Sequence, residues 1–168
     1  MAQASAKTSR NIIPSAFKAF DVGQVNLDFG GGKYDTATEF LKEKNVTNLV
    51  FDPFNRSKEH NTLIMSQVIV NGCDSITCLN VLNVIPLTER LQVYKHIKMI
   101  LETTRCKKVI FQMYAGNGTG IEQFTNGVNQ NNLRLTHYFT ELLEHFASYQ
   151  VEKVPSKYVI IQKNFSLQ

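Results

Sequence analysis

The sequence predicts an α/β fold: one domain built on a doubly wound, mostly parallel sheet that closes with a C-terminal antiparallel hairpin. Three observations predict it. Short apolar runs alternate with segments of helical period from residue 24 to residue 146, the pattern of parallel strands joined by crossover helices. The first of these runs closes on an acidic residue and breaks into three consecutive glycines, Val25-Asn26-Leu27-Asp28-Phe29-Gly30-Gly31-Gly32-Lys33-Tyr34. After the last helical segment two β-rich runs follow one another around Pro155-Ser156, spaced for a tight antiparallel turn.

Each element has its own signal. Pro14 suits the first position of a helix, where its missing N–H costs nothing, so 15–20 reads as a short helix leading into the first strand, 24–28. Residues 36–44 carry Ala37, Phe40 and Leu41 at helical spacing, with Asp35 or Thr36 as the cap. The run 48–51 is a short strand stopped by Asp52-Pro53. Residues 59–70, with apolar positions 63, 64, 68 and 69, read as a helix that could hide a strand at its end. The β-rich run in 74–82 belongs at the centre of the sheet, and 88–102 is the clearest helix, apolar along one broad face. A buried strand at 107–113 precedes a Gly-, Asn- and Thr-rich stretch, 115–132, long enough to be functional or mobile. A helix at 133–146 and strands at 150–154 and 158–162 complete the chain, with 1–12 a flexible tail and 13–168 the domain.

Composition narrows the classes. The 168 residues are 43% hydrophobic and 19% charged, a balance that buries a sizeable core, and no apolar run approaches the roughly 20 residues of a membrane span. The polar N-terminus lacks the apolar stretch of a secretion signal. Cys73, Cys78 and Cys106 have neither CxxC spacing nor a histidine companion, so they read as reduced, buried thiols of a cytoplasmic protein and not as metal ligands. The net charge of +4 permits nucleic acid as a partner, but Lys42, Lys44, Lys95, Lys98, Arg105, Lys107 and Lys108 are scattered and read as solvated helix faces and ends.

Three segments at successive strand ends could carry chemistry. In open α/β sheets ligands sit beyond the carboxyl ends of the strands, where the strand order reverses. Asp28-Phe29-Gly30-Gly31-Gly32 would let a ligand lie against backbone, since glycines remove the Cβ atoms that would hold it off. Asp52, about twenty residues on, has two acceptor oxygens spaced for a ribose diol, and Pro53-Phe54 behind it could pack on a base. Asn80-Val81-Leu82-Asn83 ends the central strand and offers amides rather than an acid or base. A dinucleotide fingerprint would need glycine at position 35, which is Asp35. Asp52-Pro53-Phe54-Asn55 is reminiscent of the Asp-Pro-Pro-Tyr motif of DNA amino-methylating enzymes, but it follows the wrong strand for that role.

Taken together these segments resemble the class I S-adenosylmethionine-dependent methyltransferases from about Val25 to Lys163, most closely a small bacterial and phage group that includes methyltransferase-like proteins associated with DNA phosphorothioation systems. The resemblance implies a seven-stranded Rossmann-like fold, S-adenosylmethionine as cofactor, and contacts to it from Asp28, Phe29, Gly30, Gly31, Gly32, Asp52, Pro53, Phe54, Asn80 and Val81. It implies no acceptor. The chain departs from the pattern in three ways. Tyr34 stands where many relatives have a small residue, 52–74 is short enough for the third strand to be missing, and no substrate domain is inserted.

Methyl transfer from a sulfonium rests on positioning, so an amine or thiolate acceptor would need little acid–base help. No catalytic base stands out: His60, His96, His137 and His145 fall in or beside helices, Tyr114 could line the pocket, and 115–132 is a candidate lid. Two other functions remain open, a non-catalytic S-adenosylmethionine-binding protein acting through a partner and an enzyme that degrades S-adenosylmethionine.

Overall fold

The computed structural model describes residues 11–125, 127–155 and 157–164. The first ten residues of the expected tail, and Ser156 of the expected terminal turn, lie outside the described residues. A six-stranded sheet organises the chain, in the order β2-β1-β3-β4-β8-β7. Its strands are β1 (Val25–Phe29), β2 (Thr47–Phe51), β3 (Ser75–Leu79), β4 (Lys108–Gln112), β7 (Gln150–Val154) and β8 (Tyr158–Gln162). The β2-β1, β1-β3 and β3-β4 pairs are parallel, while β8 runs antiparallel to both β4 and β7. The doubly wound, mostly parallel sheet with a closing antiparallel hairpin is therefore as the sequence predicts.

Among the described residues the main sheet has six strands where the resemblance implies seven. Between β2 and β3 the chain forms only one helix, α3 (Lys58–Asn71), which begins after Ser57 caps the His60 N–H at 3.1 Å. It runs through the place where a third strand could have hidden. Among the described residues no strand pairs with the outer edge of β2. Thr47 and Phe51 direct their backbone bonds toward β1, so Asp52 and Val50 face outward. Side chains of α3 occupy that edge: the His60 ring is 2.8 Å from the Val50 carbonyl, and Asn61 bonds both the N–H (2.9 Å) and the carbonyl (3.0 Å) of Asp52. An edge capped in this way is a poor template for a further strand.

Helices α1 (Ala16–Ala19) and α2 (Thr36–Glu43) cover one face, where Phe17, Leu41, Leu79, Ile110 and Tyr158 form a small apolar cluster. Helices α3, α4 (Leu87–Thr103) and α5 (Leu135–His145) cover the other, over a much larger core that includes Leu27, Phe29, Ile76, Phe111, Ile97 and Phe146. That core also buries an ion pair, Arg90 to Glu141, in bidentate geometry at 2.7 and 3.1 Å, with the Tyr94 hydroxyl donating to the same carboxylate at 2.6 Å.

Several boundaries differ from expectation for identifiable reasons. The central strand stops at Leu79 because Asn80 takes a left-handed φ of 58°, after which Leu82–Val84 form a 3-10 turn. Pro14 precedes the first helix by two residues and accepts a bond from Phe17 N–H at its carbonyl. Asp35 occupies the cap position of α2 but makes no capping bond, since its carboxylate pairs with Arg56. The stretch 115–132 holds a two-stranded hairpin, β5 (Gln123–Thr125) with β6 (Val128–Gln130).

Candidate functional site

The strand order reverses between β1 and β3, because the chain leaves β1 for β2 on one side and returns past it to β3 on the other. The crevice outside the carboxyl ends of those two strands is the place where folds of this type bind ligands. Here it is flanked by the glycine turn after β1 and by Asn80-Val81 after β3.

The glycine turn continues the ladder for one more bond, Gly30 N–H to Phe51 O at 2.7 Å, and then bends away through Gly30 (φ 80°) and Gly32 (φ 83°). Two of its glycines are demanded by the chain's own side chains. A Cβ on Gly30 would lie 2.5 Å from Val81 Cγ2, and one on Gly31 would lie 2.6 Å from Asp28 Oδ2 and 2.9 Å from Val50 Cγ1. Glycine thus serves here to let two loops and a buried carboxylate close on one another, as well as to present backbone outward.

Asp28 is only 3% exposed and lies beneath that turn. It accepts from the Thr77 hydroxyl at 3.0 Å and from the Asn48 amide at 3.4 Å. Burial pushes its pKa up to about 6, against the opposing effect of the Thr77 and Asn48 bonds, with the Asp52 charge adding to the rise. The bonds continue along the sheet: the Asn26 amide donates to Asn48 Oδ1 and Thr77 Oγ1, both at 2.8 Å, and the single Ser75 hydroxyl proton is shared between Asn26 Oδ1 at 2.8 Å and the Val22 carbonyl at 2.7 Å. These residues alternate along β1, β2 and β3 and share the face under α2, where Thr38 accepts a second bond from Asn48 at 3.2 Å.

Asp52 is equally buried, 4% exposed. It accepts from Gly32 N–H at 2.8 Å, Phe54 N–H at 2.9 Å, and Asn55 N–H and side-chain amide, both at 3.0 Å. Arg56 completes the link between the two loops, donating to the carbonyls of Gly32 (2.8 Å) and Tyr34 (3.2 Å) and to the Asp35 carboxylate (2.8 Å). Phe29 points into the large core, against Phe51 and His96 at ring-centre separations of 5.0 and 5.2 Å. Pro53 and Phe54 are exposed, and Pro53 joins Phe51, Met65 and Ile69 in lining an open groove of about 460 Å³ beside β2.

Asn80 bonds the Gln112 backbone through its N–H at 2.7 Å, and its side-chain oxygen accepts from the Gln112 amide at 3.4 Å, leaving it exposed at the end of β3. The structure therefore brings the Asp28–Gly32, Asp52 and Asn80-Val81 segments to one end of the sheet. It turns Phe29 inward.

The remaining candidates are occupied elsewhere. His60 caps the sheet edge, His96 is half-buried among aromatic rings with its pKa lowered by burial, His137 lies 3.4 Å from Glu141, and the His145 ring sits 5.3 Å from that of Tyr94. Tyr114 is exposed, its N–H donating to Asn83 Oδ1 at 3.4 Å. The stretch expected as a lid is tied down by amides. The Asn131 side chain donates to the carbonyls of Leu82 and Ile85 at 2.8 Å each, its N–H donates to Asn83 O at 2.9 Å, and Asn132 donates to Ile121 O at 2.8 Å. All three cysteines are free and buried, and among the described residues no cluster of His, Cys, Asp or Glu could hold a metal ion. Among the described residues no helix is long and apolar enough to cross a membrane.

Sequence reasoning missed Arg56, Asn48, Thr77 and Asn61. Only Thr77 had a signal, in the polar residues recurring with period two inside otherwise apolar strands, Asn26-x-Asp28 and Ser75-x-Thr77.

No family model matches the sequence, and no curated protein matches it. Solved structures do. An O-methyltransferase family protein from Burkholderia thailandensis superposes with a TM-score of 0.50 at 13% identity, over 83% of this chain and 51% of its own. The chain thus spans about half the length of that protein. The DhpI–SAH complex matches with a TM-score of 0.46 at 10% identity, over 88% of this chain and 79% of its own, and Streptococcus pneumoniae Sp1610 with 0.42 at 12%, over 91% and 70%. The fold is that of the class I, Rossmann-like methyltransferases.

Proposed function

We propose that this chain is an S-adenosylmethionine-dependent methyltransferase whose cofactor lies over the carboxyl ends of β1 and β3. One observation carries the reading: the glycine turn leaves β1 at the point where the strand order reverses, with Asn80-Val81 meeting it from β3. Gly30 and Gly31 would offer backbone to the methionine and ribose portions, with Gly32, buried and bonded through both its backbone groups, setting the turn. Asn80 and Val81 would flank the transferred group, and Pro53 and Phe54 the adenine. Asp28 would act on the ammonium group from beneath Gly31, and Phe29 would contribute through the packing that holds the turn. Gly30 and Gly31 are the half-exposed part of the turn, and it is their backbone that fits such a cofactor. The Asp52 carboxylate fits less simply, because its acceptor positions are already taken. When bound, S-adenosylmethionine supplies a methyl group already activated on sulfonium, so the protein's task is to orient donor and acceptor and to exclude water.

Calorimetric titration with S-adenosylmethionine, S-adenosylhomocysteine and NAD tests the reading. Micromolar binding of the first two and not the third, weakened in Asp28→Ala, supports it. Absence of binding by either adenosyl ligand overturns it.

A second reading, a non-catalytic protein that binds S-adenosylmethionine and acts through a partner, is favoured by the chemistry of the β3 loop. Asn80 would bring an amide to the position facing the transferred group, Asn83 is buried and bonded to Tyr114 and Gln130, and the nearby carboxylates of Asp28 and Asp52 are buried and bonded. Methyl transfer by the isolated protein to any acceptor counts against that alternative.

A further inference from the structure

We infer that Asp52 and Arg56 are positioning residues that clamp the glycine turn at Gly32, and that Asp52 does not grip the ribose of the cofactor. The inference rests on the proposed S-adenosylmethionine site and departs from the role expected of an acidic residue at the end of the second strand.

Both backbone groups of Gly32 are held by the loop after β2. Its N–H donates to Asp52 Oδ2 at 2.8 Å and its carbonyl accepts from Arg56 Nε at 2.8 Å. The same guanidinium donates to Tyr34 O and Asp35 Oδ1, so its planar fork reads three acceptors of one turn, a geometry that lysine cannot reproduce. A carboxylate has about four acceptor directions. Asp52 meets four donors from its own chain: the N–H groups of Gly32, Phe54 and Asn55, and the Asn55 side chain. At 4% exposure it has no free side to offer a diol. Ribose hydroxyls could bind only by displacing these donors, of which the Gly32 N–H is buried and would lose its partner. Asp52 is itself fixed from behind, since Asn61 of α3 bonds both its N–H and its carbonyl. The first turn of α3 thus sets Asp52, and Asp52 with Arg56 sets Gly32.

The experiment has two arms on the wild type, Asp52→Ala and Arg56→Lys. In the first, hydrogen exchange of the free proteins is followed at Gly32. At least tenfold faster exchange in both variants is expected, with an unfolding midpoint unchanged in Arg56→Lys. Unchanged exchange in both overturns the clamp whether or not any ligand binds. In the second, calorimetry measures S-adenosylhomocysteine and its 3′-deoxy analogue. Each variant should weaken S-adenosylhomocysteine about tenfold or more, while loss of the hydroxyl costs the same factor in wild type and in Asp52→Ala. A hydroxyl penalty that is large in wild type and vanishes in Asp52→Ala assigns Asp52 to the ribose and overturns the inference. Should the wild type bind no S-adenosylhomocysteine, the cofactor reading fails and the exchange arm alone decides the clamp.

Discussion

Beneath α3, α4 and α5 the sheet turns an apolar surface, Leu27, Phe29, Ile76, Cys78, Val109, Phe111, Val159 and Ile161, into the main core. Beneath α1 and α2 the same strands turn Asn26, Asp28, Asn48, Ser75 and Thr77 into a closed hydrogen-bond network, with apolar packing confined to its flanks. Strands buried on both faces ordinarily read as continuous hydrophobic runs. Dispersion and water exclusion tolerate small shifts of side chains, whereas a buried polar group is costly unless its partner is in the right place. The difference teaches that one face holds the sheet together by packing and the other ties β1, β2 and β3 to one another through specific hydrogen bonds that end on Asp28, beneath the glycine turn.

The comparison breaks most directly on the apolar side. Phe111→Ala removes a fully buried ring and should cost about 3–5 kcal/mol in urea denaturation. A cost near 1 kcal/mol would show that this face carries much less of the stability than its packing implies.

Asp28→Asn tests the polar side. The folded-state pKa of Asp28 is raised from 3.8 to about 6, so its favourable contribution is complete below about pH 3.8 and is lost as pH rises through about 6. The ionised form then costs up to about 3 kcal/mol at 1.36 kcal/mol per pKa unit. Relative to wild type, Asp28→Asn should therefore gain about 1–3 kcal/mol at pH 8, and the advantage should vanish near pH 4. A variant less stable than wild type at pH 8 would mean that the carboxylate's bonds to Thr77 and Asn48 outweigh its burial.

Smaller effects sharpen the contact between the faces and the loops. Gly30→Ala forces a residue with φ of 80° and a Cβ 2.5 Å from Val81 Cγ2, and should cost about 1–3 kcal/mol. Adding Val81→Ala should recover part of that loss, because the two residues share one contact. His60→Ala removes the ring that caps Val50 O and should cost about 0.5–1.5 kcal/mol, measured by the shift in denaturation midpoint.

Much of this architecture can be read directly from the chain. The strands at 47–51, 108–112, 150–154 and 158–162 stand within one residue of where apolar runs end on Asp, Gln or a turn, and the helix over 87–103 follows its own periodicity. The short interval between Asp52 and Asp74 already makes a missing third strand a possibility. What could not be read was partnership across the sheet. Nothing near Asn48 in sequence indicates that its amide reaches Asp28, and nothing near Asp35 indicates that Arg56 draws it away from capping α2. The anchoring of 115–132 could not be read for a related reason. A Gly- and Asn-rich stretch looks loose until Asn131 is seen to bond the Ile85 carbonyl, Asn83 the Tyr114 N–H at its start, and Asn132 the Ile121 carbonyl within it. The site segments came together as their spacing predicts, but the saturation of Asp52 belongs to four donors whose geometry only the fold supplies.

Strand β8 is the last to emerge during synthesis, yet it lies between β4 and β7. Until it arrives β7 has no neighbour to join, and the flank of β4, with Val109, Ile110 and Phe111, stays open in the nascent polypeptide. Fifty residues separate the end of β4 from the end of β8, and at about 5–20 residues per second the ribosome takes about 3–10 s to supply them. For that interval one edge of an apolar strand, paired to β3 on its other side, stays open, so the order of the strands sets the period in which a chaperone would act.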